Sequence, residues 1–444
     1  MQVRMGKGTG GNVRRAGLAA AAVGLVATGM TVGGVAGATS RSHAAVKTTI
    51  TWWASPISTS GPDLRKALIT AFEKANPSIA VKLQTAPTNT DTNRASLVTT
   101  ISGGASSPDV FMGDVIWPAE FGAHQLAVPL SDHLPKSYFA GFAPGLVAGA
   151  TYKGKVYGAP FFEDQGFLYY RKDLLAAAHL PVPHTWQQLK TEAVHLVKLH
   201  KVKYGFVWEG ASYEGGTCNF MEYLADAGGK VLNSSGTAAA INTPATVTAL
   251  SFMRSLITSG ASPAAVTTFQ EPQAMNAFQN GQAAFLRNWD YAYSSSQAAG
   301  SKVIGKVGVE PLPAFSASAY PGYSNIGGWN LYINPHSKNM AADLTFIKFM
   351  TGTVAQTIEA TKFSEIPTLE SVRKLPAVKK VNPVLAIVGE TRLVPRPAQT
   401  PSYPKVSQSI YSNVNSVLAG SMGARAAAAA MQSQIDAALK GTGL

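Results

Sequence analysis

YKGKVYGAPFFEDQGFLYYRKDLL, residues 152–175, is the stretch from which the fold is read. Lys153-Gly154-Lys155 predicts a tight hairpin, and Gly158 and Pro160 punctuate the chain just after it. Two rings and two carboxylates follow: Phe161, Phe162, Glu163 and Asp164. Phe167–Tyr170 then reads as a strand that turns at once into a helix from Lys172. This is the pattern of a chain crossing between two structural units, with an aromatic and acidic patch at the crossing. Carboxylates accept hydrogen bonds from hydroxyls and ring faces cover apolar C–H surfaces, so the patch suits a polyhydroxylated ligand.

Upstream of the crossing, strand and helix alternate. Lys47–Ala54, Ile79–Leu83 and Asp109–Met112 read as strands; 63–75, 94–102 and 116–123 read as helices. That order predicts a mainly parallel sheet with helices on both faces. The pattern restarts after Pro160. Phe167–Tyr170, Tyr204–Val207 and Ala283–Leu286 are expected strands, and helices are expected over 184–199 (Thr185 as N-cap), 218–227, 246–257 and 272–279. Asn330–Ile333 and Leu344–Met350 add a strand and a helix, and an alanine-rich helix lies near the C-terminus.

Residues 1–44 hold Arg4, Lys7, Arg14, Arg15 and Arg41 and no acidic residue, with an apolar run from Ala16 to about Val35. Small-x-small sites follow at Ala36-Gly37-Ala38 and Ser42-His43-Ala44, so 1–44 reads as a secretory signal peptide. Sec export is preferred over a twin-arginine route through Arg14-Arg15, and an uncleaved anchor is the other alternative. The formal charge of +13 becomes +8 once those five basic residues go. Only 14% of the chain is charged, against about 25% typically, and no Lys/Arg block is interleaved with aromatics, so nucleic acid is excluded as a partner. The single cysteine, Cys218, excludes an intramolecular disulfide, a cysteine metal cluster and a lipid-anchoring cysteine after the apolar run. No HExxH, EF-hand, cysteine–histidine, GxSxG or P-loop pattern occurs, so the reading assigns no metal, cofactor or catalytic residue.

Ligands of open parallel sheets bind beyond the carboxyl ends of the strands. That rule selects the loops 55–63, 85–94 and 113–117 in the first unit, and 208–217 and 287–293 in the second. They carry Asp63, Arg94, Asp114, Trp117, Trp208, Tyr213, Glu214, Arg287 and Trp289. Arg287 is read as a structural ion pair, Trp186 as core, and at most one of Trp52 and Trp53 can face the cleft.

Seven runs together resemble family 1 extracellular solute-binding proteins, closest to the trehalose/maltose-binding branch. They are DVFMGDVIW (109–117), YGAPFFEDQGFLYYRKDLL (157–175), GFVWEGASYEGGTCNFMEYL (205–224), QNGQAAFLRNW (279–289), GKVGVEPLP (305–313), IGGWNLYI (326–333) and VPRP (394–397). The resemblance implies an α/β, two-lobed periplasmic-binding-protein-like fold of class II type. Each lobe would be a mainly parallel sheet flanked by helices, and the lobes would join through a hinge crossed near Pro160, Glu310–Pro313 and Phe363–Pro367. The expected division is 45–160 with 312–362 for the first lobe, and 161–311 with 363–444 for the second.

The resemblance further implies that Asp114 and Asp164 accept hydrogen bonds from a sugar, Trp289 and Trp329 stack on it, and Arg94 and Arg396 donate to it. Gly327 and Gly328 would let the backbone approach. Phe162 stands where that branch has a tyrosine, and Asp63 is a further expected contact in SPISTSGPD (55–63), which departs from the family's first ligand loop. Asp114 has a second reading as a helix cap, and Glu163-Asp164 a second reading as solvated turn residues. The implied role is the exported, monomeric sugar-binding component of an ABC importer, working at the outer face of the membrane with permease subunits. A secreted glycoside hydrolase, or a binding protein that reports to a receptor, are the rival roles.

Overall fold

A computed structural model describes residues 47–57 and 61–441; the expected signal peptide lies outside them. Thirteen strands organise the chain among the described residues: β1 (Thr48–Ala54), β2 (Ile79–Thr85), β3 (Val110–Asp114), β4 (Thr151–Tyr152), β5 (Lys155–Val156), β6 (Ala159–Gln165), β7 (Phe167–Arg171), β8 (Tyr204–Val207), β9 (Ala283–Asn288), β10 (Val307–Glu310), β11 (Tyr323–Ile333), β12 (Ile366–Pro367) and β13 (Arg392–Val394). The expected hairpin is β4–β5, with Lys153 and Gly154 both at positive φ in the turn.

Two lobes are built on two sheets. The larger runs β12-β6-β11-β3-β1-β2, with β13 beside β11; the smaller runs β10-β7-β9-β8. The expectation of mainly parallel sheets is corrected by the pairings. β1 pairs with β2 and β3 in parallel, but β11 lies antiparallel between β3 and β6. In the smaller sheet only β8–β9 is parallel. The cause is long-range: β11 and β6 enter a sheet whose parallel part was built far upstream, and a returning strand needs no crossover helix to pair antiparallel.

β6 was not foreseen as a strand. Its seven residues, APFFEDQ, are all buried, so they show no polar–apolar alternation to read. Because β6 pairs with β11 as far as Gln165, the expected lobe boundary at Pro160–Phe161 falls inside a strand of the larger sheet, and the chain passes to the smaller sheet at Gly166. The helix expected over 94–102 starts four residues earlier, at Thr90, capped by the Asn89 side chain. The helix expected from Cys218 starts at Glu214.

Each sheet is covered on both faces. Trp52, Phe72, Phe161 and Phe346 meet in edge-on ring contacts on one face of the larger sheet, and Phe111, Trp117, Phe121 and Tyr332 cluster on the other. Such pairs add about 0.5–1.5 kcal/mol each beyond area burial. Trp186, Phe206, Tyr223 and Phe285 form the main core of the smaller sheet, and the helices Tyr403–Ala419 and Ala424–Leu439 bury Val406, Ile410, Met431 and Ile435 against it. Trp186 is therefore core, as expected. Among the described residues no helix is long and apolar enough to cross a membrane.

Candidate ligand-binding site

The carboxyl ends of β3 and β9 and the middle of β11 converge on one cleft of about 860 Å³, open solvent included. Strand register explains the grouping. Asp114 closes β3 opposite Trp329 of β11, and Gly327 of β11 lies opposite Asp164 of β6. The β6–β11 ladder slips between Trp329 and Asn330. A bulge of this kind re-aims a side chain, and the Trp329 ring lines the cleft while its neighbours Gly328 and Asn330 are buried.

Trp289 follows directly on β9 and lines the same cleft. Its turn is pinned by the Tyr169 hydroxyl, which donates to the carbonyls of Trp289 (2.7 Å) and Asp290 (3.2 Å). The Arg287 guanidinium sits 4.1 Å from the Trp289 ring centroid, held by ion pairs to the buried Glu209 and Glu222. Arg287 is thus the structural ion pair that was expected, and it also backs the tryptophan.

Gly327 and Gly328 line the cleft, but tertiary packing also demands them. A Cβ on Gly327 would come within 2.9 Å of the Trp289 ring, and one on Gly328 within 2.5 Å of the Phe162 carbonyl. Gly328 also holds φ +112, where side chains are rare. The pair therefore brings β11 close against β6 and seats Trp289.

Arg396, expected to donate to a ligand, lines the cleft with Nε unpartnered and spends its Nη groups within the protein. It is buried, with Nη2 2.8 Å and Nη1 3.2 Å from the two oxygens of Asp114, and Nη1 2.8 Å from Glu214 Oε1. Asp114 ends β3 of the larger sheet and Glu214 opens the helix Glu214–Asp226 of the smaller lobe, so this bridge joins the lobes across the cleft. Burial raises the Asp114 pKa and the guanidinium opposes it. Asp114 Oδ1 also accepts from the Ile116 amide at 3.2 Å, but the helix begins later, at Pro118 after Trp117, so Asp114 is not its cap. A second link runs from the Glu214 amide to Asp91 Oδ2 at 3.0 Å, and burial pushes Asp91 up to about 6.

Asp164 is buried, lines the cleft, and keeps Oδ1 without a hydrogen-bond partner. Burial pushes its carboxyl up to about 7, and the neighbouring Asp114 and Glu163 charges add to the rise.

Three expected contacts lie elsewhere. Arg94 projects from its helix to an ion pair with Glu120 at 2.6 Å and does not line the cleft; the early helix start turned it toward the helix Pro118–Ala123. Phe162 is buried in the core of the larger sheet, where its ring packs on Phe161. Asp63 caps the helix Leu64–Ala75 and pairs with Arg65 at 2.7 Å; it lines a smaller neighbouring cavity. Glu214, Glu271, Met275 and Tyr291 complete the cleft wall. Glu214 and Tyr291 lay in the loops selected by strand ends, whereas Glu271 and Met275 had no local signal. Cys218 also reaches the wall, but burial pushes its thiol well up, as befits a small packing residue rather than a nucleophile.

The chain is similar to several known proteins. A probable ABC transporter-binding protein of Deinococcus radiodurans is 34% identical over 373 residues, covering 82% of this chain and 87% of that one. Maltose-bound MalE3 of T. maritima superposes with a TM-score of 0.82 at 34% identity, covering 88% of this chain and 99% of the other. The GacH receptor of Streptomyces glaucescens GLA.O, solved unliganded and with acarbose, gives 0.76 at 27% identity, covering 89% and 99%. The profile for bacterial extracellular solute-binding proteins matches residues 55–357, a span that takes in Asp114, Asp164, Trp289 and Trp329. By that match, and by a cleft assembled from both lobes, this chain belongs to the bacterial extracellular solute-binding protein family.

Proposed function

We propose that the protein is the exported sugar-binding component of an ABC importer, taking a disaccharide or short oligosaccharide such as trehalose or maltose in the cleft and passing it to permease subunits. The observation that carries this reading is the pairing of Trp289 and Trp329, presented by different lobes, above the buried carboxylate of Asp164. Indole faces cover the C–H faces of a pyranose, and a carboxylate accepts from its hydroxyls more strongly than a neutral group. Relatives of similar fold bound to maltose and to acarbose support the sugar class.

In this reading the lobes close about the strand connections between them, with the Asp114–Arg396–Glu214 bridge spanning the cleft. Segments that cross between the sheets at several points bend without letting the lobes drift apart. The hydrolase reading loses support at Asp114: both its oxygens are taken by Arg396, so it is not free to act as the second carboxyl that glycoside hydrolysis requires. A thermal-shift screen of mono-, di- and trisaccharides tests the proposal, because a ligand that binds only the native state raises its apparent stability. Product analysis on the same mixtures should find the sugar intact; cleavage would return the hydrolase reading.

A further inference from the structure

Several buried acids around the cleft are answered by guanidinium groups. Arg396 pairs Asp114 and Glu214, Arg287 pairs Glu209 and Glu222, and Arg373 pairs Glu163. Behind the cleft, Asp164, Asp290 and Glu365 bring one carboxylate oxygen each within 4.8 Å of one another, all three residues being buried. Among the described residues, no Lys, Arg or His forms an ion pair with any of them.

The oxygens there also lack donors. Both oxygens of Glu365, Oδ1 of Asp290 and Oδ1 of Asp164 are buried without a hydrogen-bond partner. Besides contacts among the three carboxyls and the Asp290 amide, the Ile366 amide reaches the group, 2.9 Å from Asp290 Oδ2. Glu359, a fourth buried carboxyl with both oxygens unpartnered, lies beside Glu365. Fully buried, unanswered carboxylates cost several kcal/mol each, so the trio needs protons or a cation to persist.

Two cavities adjoin the group. Asp164 lines the ligand cleft, while Glu365 lines the adjoining cavity, and Tyr291 lines both. Lys362 lines that second cavity too but, among the described residues, forms no ion pair with a carboxylate. A left-handed Ser364, φ 69, ends the π-turn Glu359–Phe363 directly before Glu365.

We propose that Asp164, Asp290 and Glu365 bind one hard divalent cation, Ca²⁺ foremost, directly behind the ligand cleft. An all-carboxylate donor set selects Ca²⁺, Mg²⁺ or Mn²⁺ over softer metals. The spacing is no more than twice a Ca–O bond of about 2.4 Å, and Ca²⁺ tolerates the irregular geometry that Mg²⁺ resists. The three ligands come from β6 of the larger sheet, the turn after β9 of the smaller sheet and the segment before β12. The cation therefore ties the two lobes at their connections, and holds Asp164 ionised toward the cleft.

The test uses the full chain without sugar, so it is independent of the proposed ligand class. Protein stripped with EDTA and exchanged into chelator-free buffer at pH 7.5 is titrated with CaCl₂ in a calorimeter and melted with and without it. The expected result is one Ca²⁺ per chain and a melting temperature raised by about 3 °C at a hundredfold excess over Kd. Glu365→Gln should abolish both effects, with Asp290→Asn as the second variant should the first not fold. MgCl₂ should act more weakly. Two results overturn the site. One is a wild-type protein that shows neither heat nor a melting shift with Ca²⁺, Mg²⁺ or Mn²⁺, which would mean that the trio holds protons. The other is a calcium shift that survives in the variants.

Discussion

Replacing Arg396 by Met should separate the lobes more than any other single change at the cleft. The guanidinium makes three hydrogen bonds, two to Asp114 and one to Glu214, and all three groups are buried. Glu214 keeps the Tyr403 hydroxyl at 2.6 Å and Ser407, but Asp114 would retain only the Ile116 amide. Breaking a buried pair by removing one partner costs about 3–5 kcal/mol, because the remaining charge stays buried and unpaired. Spread over the unfolding entropy of a chain of this size, that corresponds to a fall in melting temperature of about 4–6 °C. The bridge spans the cleft, so sugar affinity should fall with it, by about a hundredfold or more. Arg396→Lys keeps the charge but loses the fork that matches a carboxylate, and should fall between wild type and Arg396→Met. Adding Asp114→Asn to Arg396→Met should recover part of the stability while leaving binding weak. Calorimetric melts and sugar titrations on the four proteins read these outcomes. An Arg396→Met protein with wild-type melting temperature and affinity would refute the bridge as a structural link.

The other predictions concern ring, carboxylate, closure and proton. Trp329→Ala should weaken sugar binding by about 1–3 kcal/mol and remove much of the fluorescence change on binding, with Trp329→Phe keeping much of the affinity; normal binding with a full optical response would pass the stacking role to Trp289. Asp164→Ala should lower sugar affinity roughly 10- to 150-fold, the worth of a charge-assisted hydrogen bond, while leaving the apo protein folded; unchanged affinity removes Asp164 from the contact set. Small-angle scattering should show a smaller radius of gyration with saturating sugar, and an unchanged radius counts against hinge closure. Burial raises the Asp164 carboxyl to about 7, and Asp226 and Asp343 to about 6, above their unfolded values. The native state thus keeps protons that the unfolded chain releases above about pH 4, so stability in chelator should fall as pH rises from about 4 to 7, by a few kcal/mol. Melts at pH 5 and pH 8 measure it, and greater stability at pH 8 would contradict the assignment.

How much was legible in the sequence follows from which signals are local. The elements were readable from periodicity, and strand ends pointed to Asp114, Glu214 and Trp289 before any contact was known. Asp164 stood out in the aromatic and acidic patch at 161–164, whereas Trp329 came from the resemblance, since it lies at no expected strand end. Arg94 failed because its helix begins at Thr90: Asn89 followed by Thr90 and Asp91 is a usable cap signal, and reading it would have moved Arg94 out of the loop. Arg396 lines the cleft, but its bridging role was hidden for another reason. Its partners lie 282 and 182 residues away, and nothing near VPRP announces a bridge. Gly327 and Gly328 were read as room for a ligand, whereas the Trp289 ring and the Phe162 carbonyl also exclude a side chain there. The acidic trio draws on residues 164, 290 and 365, so no spacing motif could have shown it. The antiparallel insertion of β11 was hidden in the same way, because pairing partners are chosen in space.

Calorimetric titration of the wild-type protein and a Trp289→Ala/Trp329→Ala double variant with a panel of di- and trisaccharides tests the central claim most directly. The account predicts saturable binding of at least one sugar at one site per chain, with the sugar recovered unchanged and the binding lost in a folded double variant. Absence of binding across the panel, or undiminished binding in the double variant, would contradict it.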